Sequence, residues 1–178
     1  MTWLSSRVAQ LTATHLPVGA RVLVIAPKPA RPLIVALKKR GLDATGMVAM
    51  PQLNRHEVVN WAREASADML ILIMGLSNIR ETDRYAVAEL ARVVAPLALF
   101  VDWQRAERNL EVPADVIRRL FFFMTRSHAA RCPLTSYDAI GGLNGVLHAW
   151  GRQGRVVARQ SCLAGCVGLA LVAWEPLA

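Results

Sequence analysis

Residues 21–41 read RVLVIAPKPARPLIVALKKRG, and this stretch decides the fold. Arg21–Ala26 (RVLVIA) is a short apolar run rich in β-branched residues, the signature of a buried strand. Leu33–Arg40 carries apolar residues at helical spacing and ends in Lys38, Lys39 and Arg40, cations that suit a helix C-terminus, with Gly41 to close it. In strand–helix units that hold a ligand across the connection, glycines are required there, because only a bare backbone presses against a ribose or pyrophosphate. Here the connection is Pro27-Lys28-Pro29-Ala30-Arg31-Pro32, with no glycine. The scaffold of the unit is present and its centre is rewritten.

Outward from this unit, Thr2–Thr14 has Trp3, Leu4, Val8 and Leu11 at helical spacing, and Pro17-Val18-Gly19 ends that helix. Leu42–Met50 predicts a second strand and His56–Ala65 a second helix. Asp68 opens Met69–Leu76, a near-continuous apolar run typical of a central parallel strand. Glu81–Val94 predicts a helix with Tyr85, Ala88, Leu90, Ala91 and Val94 inward, and Pro96–Trp103 predicts the next strand. Gln104–Pro113 is a polar connection, Asp115–Arg126 a helix bearing Phe121, Phe122 and Phe123, and Ser136–Trp150 a helix with a weak start at Gly141-Gly142. Gly154–Cys162 and Cys166–Trp174, joined by Leu163-Ala164-Gly165, read as a hairpin. Alternating strands and helices predict an α/β fold: a Rossmann-like, mostly parallel sheet with helices on both faces and a C-terminal antiparallel hairpin. Its organisation reads as one domain over 1–178, an N-terminal helix in 1–18 followed by an α/β core in 19–178.

The composition narrows the class. Hydrophobic residues make up 54% of 178, and mean hydropathy is positive. The uncharged run through Ser161–Trp174, which begins at Gln160, is shorter than the roughly 20 residues a bilayer crossing needs. No basic start followed by an apolar core marks a leader in the first residues, so a soluble cytoplasmic protein is expected. Cys132, Cys162 and Cys166 lack the spacing of a zinc set and read as reduced thiols; no metal site is expected. Net charge is +8, with seven basic and two acidic residues in 21–60 but six basic and eight acidic in 61–112. That surplus favours anionic partners without choosing among them. No run of five like charges occurs and aromatics are not interleaved with the arginines, so the sequence does not mark a dedicated nucleic-acid module.

The stretch ADMLILIMGLSNIRETDRYAVAELARVVAP (67–96) resembles the fourth strand, following loop and next helix of the class I, Rossmann-like S-adenosylmethionine-dependent methyltransferases, with Asp68, Glu89, Leu90, Arg92, Val93 and Pro96 in register. LALFVDW (97–103) is similar to the family's fifth strand, and the C-terminal helix and two reversed strands resemble its end. The resemblance covers most of the chain and implies the family's fold and an S-adenosylmethionine site. Laid onto this sequence, however, the acidic position of the family's first motif is Val24 and its three glycines are Ala26, Lys28 and Ala30. The ribose-binding carboxylate falls at Val48 or a neighbour, with no acid nearby. The interval before Asp68 leaves little room for the family's third strand. Loss of charge-assisted ribose bonds costs about 1.5–3 kcal/mol, and about 1.4 kcal/mol is tenfold in affinity.

Other residues offer chemistry of their own. Lys28 and Arg31 stand where an anion could meet a helix N-terminus, or are solvated side chains. Ser77 and Asn78 follow one strand, and Asp102 and Trp103 end the next, where open α/β sheets place ligand contacts; turn and Asx chemistry explains them as well. His128 is the histidine beside this region, with no general-base partner named by the sequence. Arg118, Arg119, Arg126 and Arg131 form a basic face or snorkel around the phenylalanines.

Three functions follow from this reading. The first is a non-catalytic binding or assembly subunit that has lost S-adenosylmethionine, with no cofactor and with a protein partner or a second copy of itself. The second is a divergent active methyltransferase, for which Asp102 and Asp43 are the candidate acids. The third is a module for an anionic ligand or nucleic acid. No catalytic residue is assigned.

Overall fold

The computed structural model describes residues 2–48, 67–74, 76–78, 81–104, 116, 137, 139–150, 154–163 and 165–174. Its elements are α1 (Thr2–His15), β1 (Arg21–Ala26), α2 (Arg31–Lys38), β2 (Asp43–Val48), β3 (Met69–Ile73), a 3-10 turn (Leu76–Asn78), α3 (Glu81–Val94), β4 (Leu97–Trp103), α4 (Leu143–Ala149), β5 (Gly154–Cys162) and β6 (Val167–Trp174). The predicted helices at His56–Ala65 and Asp115–Arg126, the latter with its three phenylalanines, lie outside the described residues apart from Val116, which is helical.

Six strands form one sheet in the order β2-β1-β3-β4-β6-β5. The first four run parallel, and β6 is antiparallel to both β4 and β5. Consecutive buried residues along β1, β3, β4 and β6 mean that these strands are covered on both faces, the condition that parallel pairing imposes. Among the described residues β2 pairs with β1 alone, so no described strand takes the place of the family's third. At the other edge, β5 alternates between exposed and half-buried residues and carries a register break between Val156 and Ala158. A bulge with Arg155 and Arg159 on an edge strand opposes sheet-to-sheet aggregation.

Three predicted elements differ in detail. Helix α2 begins at Arg31 rather than Leu33, because Pro32 fits the first helical turn, where its missing N–H costs nothing. The strand expected over Met69–Leu76 stops at Ile73: Met74 adopts φ 49 and Leu76 enters the 3-10 turn. The helix expected over Ser136–Trp150 is interrupted at Gly141 and Gly142, both at positive φ, and α4 resumes at Leu143. On α3, Tyr85 points to solvent instead of inward, and Val87 takes the buried position with Ala88, Ala91 and Val94. Phe100 sits between Trp150 and Trp174 in edge-on contacts at 5.3 and 6.3 Å, tying α4 to the β4–β6 pair.

The interruption before α4 has a steric cause. The chain folds back so closely that a Cβ on Gly145 would lie inside the Ile140 carbonyl. A Cβ on Gly46 would instead meet only the mobile end of Ile34, at 2.5 Å. Gly145→Ala is therefore expected to lower stability by about 3 kcal/mol and Gly46→Ala by about 1 kcal/mol or less, read from urea denaturation. Equal losses would contradict the close approach at Gly145.

Candidate functional site

In an open α/β sheet ligands bind outside the carboxyl ends of the strands, where the strand order reverses. In this sheet that point lies between β1 and β3, and the crevice has two unlike halves.

The first half is built by β1, β2 and the start of α2. Ala26 and Val48 are register partners at the ends of their strands, so the positions expected to face the cofactor are brought together. Ala26 is buried, Lys28 is exposed and Ala30 is half-buried. Ala30 caps α2 without a side-chain bond, and its carbonyl oxygen accepts from both Leu33 N–H and Ile34 N–H at 3.0 Å. With Pro32 supplying no N–H and Leu33 turned back onto Ala30, the helix start offers little of the amide cradle that anion binding uses. Lys28 and Arg31 are both exposed beside it. The acid candidate Asp43 is at the far end of β2, in register with Arg21, about 16 Å away at the usual rise per residue. There it lines a cleft of about 410 Å³ with Arg21, Thr45 and Ala67.

The second half is organised around Asp102, which is 1% exposed. Its Oδ2 accepts from Leu76 N–H at 2.7 Å and Ser77 N–H at 3.1 Å, and its Oδ1 accepts from Trp103 N–H at 2.8 Å. The Ser77 hydroxyl is buried beside the same carboxylate without meeting hydrogen-bond geometry. Burial pushes the Asp102 carboxyl up from 3.8 to about 6, opposed by Ser77 and by the three amides. Across the turn, buried Arg84 donates from Nε to Leu76 O at 3.2 Å, and its guanidinium lies 4.9 Å from the centre of the Tyr137 ring. Leu76 thus gives its N–H to a buried anion and its carbonyl to a buried cation, a charge pair relayed through one residue's backbone. Beside this, Gln104 donates from Nε2 to Ser161 Oγ at 2.8 Å and Gly165 O at 2.9 Å, while its N–H meets Cys166 O at 3.0 Å. A Cβ at Gly168 would collide with the Gln104 amide, so glycine there makes the room.

Of the predicted residues, Ser77, Asp102 and Trp103 converge, and Asn78 shares their turn. Lys28 and Arg31 belong to the other half, and His128 lies outside the described residues. Arg84, Tyr137 and Gln104 were missed. Arg84 had one signal, a charge on the inward stripe that continues through Ala88, Ala91 and Val94; Gln104 had none, because its partners are 57 and 61 residues away. Cys162 and Cys166 are buried free thiols, and burial pushes the Cys162 thiol up against the pull of Arg7. Among the described residues no cluster of His, Cys, Asp or Glu could hold a metal ion, and no helix is long and apolar enough to cross a membrane.

No protein-family model matches the chain, and no curated protein matches it. Solved structures share its fold. The PH0226 protein from Pyrococcus horikoshii OT3 matches over 94% of this chain and 88% of its own, at 11% identity and TM-score 0.52. A protein described as a putative Zn-dependent alcohol dehydrogenase from Rhodobacter sphaeroides matches over 95% and 89%, at 11% identity and TM-score 0.51. A putative S-adenosyl-L-methionine-dependent methyltransferase from Methanococcus maripaludis matches over 98% and 86%, at 12% identity and TM-score 0.50. The chain spans 18% of ATP-bound MatB from Rhodopseudomonas palustris, aligning over 54% of itself at 23% identity and TM-score 0.39. Identities this low speak for architecture alone. The fold is methyltransferase-like.

The raised Asp102 carboxyl has a measurable consequence. Burial makes the folded state hold this proton more tightly than the unfolded chain does. The group's contribution to stability is complete below about pH 4 and is lost as pH rises to about 6, a change of about 3 kcal/mol. Asp102→Asn should remove that decline from stability measured across pH 4–7 by chemical denaturation. An unchanged decline in the variant would contradict the assignment.

Proposed function

We propose that this methyltransferase-like chain does not hold S-adenosylmethionine in the ordinary cofactor mode and acts instead by binding a partner. The observation that carries this reading is the connection between β1 and α2. Side chains occupy every position where the family needs a bare backbone, and of the first helical turn Pro32 has no N–H while Leu33 and Ile34 donate to Ala30 O. Neither candidate acid favours the active alternative. Asp43 is a strand's length from the crevice, and Asp102 spends its oxygens on Leu76, Ser77 and Trp103. The missing ribose carboxylate alone is worth about one to two powers of ten in affinity, before steric conflict in the loop is added.

Calorimetric titration with S-adenosylmethionine and S-adenosylhomocysteine tests the reading. No heat of binding is expected up to millimolar ligand. Micromolar binding of either would overturn it.

A further inference from the structure

The first 42 residues contain seven Lys and Arg side chains and no Asp or Glu. Five of them, Lys28, Arg31, Lys38, Lys39 and Arg40, lie on α2 and its two flanks, and α1, which carries Arg7, packs against α2. The exposed positions of α1, Trp3, Ser6, Arg7, Gln10 and Thr14, follow one helical stripe; on α2, Arg31, Val35 and Lys38 follow another, with exposed Pro32 beside it. Lys28 before α2 and Lys39 and Arg40 after it are exposed as well, so the cations of this segment run over about 20 Å at ordinary chain and helix rises. The ion pair formed among the described residues joins Arg92 to Glu89 on α3, and none of these six cations takes part in one. Their mutual repulsion is left for a partner to offset.

We infer that the outer face of the α1–α2 layer binds the phosphate backbone of a nucleic acid. Three features favour this partner over others. Half of the six cations are lysines, which protein–protein interfaces avoid and phosphate contacts use. Exposed Ser6 and Gln10 place neutral hydrogen-bonding side chains beside the charges, as backbone-tracking surfaces do. The exposed apolar side chains of the two stripes, Trp3 and Val35, stand singly among polar residues and do not form the continuous apolar face that seats a helix in a lipid interface. Trp3, 54% exposed, is available to stack on an unpaired base. No base-reading set accompanies them, so the binding is set by charge and not by sequence.

The inference names a partner class for the binding role proposed above and rests on that reading only in this respect; cofactor titration and nucleic-acid titration fail separately. The test is fluorescence anisotropy of the full chain with a labelled DNA duplex and a single-stranded RNA, each of about 20 nucleotides or base pairs, across a range of salt. Micromolar binding is expected, with log affinity falling against log salt at a slope of about −4 for about four phosphate contacts on the duplex. The variant Arg31→Ala/Lys38→Ala/Lys39→Ala/Arg40→Ala should weaken binding at least tenfold and flatten the slope. Arg155→Ala/Arg159→Ala, on the far edge strand, should leave both within twofold. Circular dichroism checks that each variant is folded. Absence of salt-dependent binding, or an unchanged affinity and slope in the fourfold variant, would overturn the inference. So would binding to phosphatidylglycerol vesicles without binding to either nucleic acid, which would make the face a lipid-binding one.

Discussion

The carboxylate of Asp102 is the charge around which the carboxyl edge of the sheet is organised. A buried anion is tolerated only when its oxygens are met by donors, and here three backbone amides meet them, two from a turn 25 and 26 residues away. That demand ends β3 at Ile73, bends Leu76 and Ser77 into a 3-10 turn and brings Leu76 O within reach of Arg84. Through Arg84 the arrangement extends to Tyr137. The β3–β4 side of the crevice is therefore held by polar contacts internal to the protein, with its carboxylate committed to the scaffold.

The β1–β2 side is built in a different way. There the covalent chain itself sets the surface: prolines at 27, 29 and 32 fix backbone angles and lack N–H donors, and Ala26, Lys28 and Ala30 stand between them or beside them with side chains and no glycine. The two sides together leave a methyltransferase-like sheet whose crevice retains neither the glycine loop nor a free carboxylate among its described residues. The unneutralised charge lies elsewhere, on the outward stripes of α1 and α2.

Elements fixed by local pattern were legible in the sequence. Arg21–Ala26 and Glu81–Val94 fall where their periodicity and their Gly and Pro punctuation put them, and Gly154–Cys162 follows the same rule. Other features depend on contacts that periodicity does not carry. The end of β3 is set by Asp102, and the break before α4 by the approach of Gly145 to Ile140. Tyr85 carries an apolar ring that pattern alone assigns inward, yet its place on α3 faces solvent. In the site, the absence of glycine between Arg21–Ala26 and α2 was legible because it is written in the local sequence. The Asp102–Leu76–Arg84 relay was not, since it joins three segments through a main-chain group that any residue would provide. The exposure of the α2 cations was likewise hidden, because periodicity does not say which face of the helix is left uncovered.

The most direct test of the account is a residue-resolved one. Backbone amide spectra of the isotopically labelled protein, recorded with and without millimolar S-adenosylmethionine, report separately on each part of the crevice. The account predicts that the signals of Ala26, Lys28, Ala30 and Arg31 stay where they are. Saturable shifts at Ala26, Lys28 and Ala30 would mean that the proline-bearing loop holds the cofactor after all, and would contradict it.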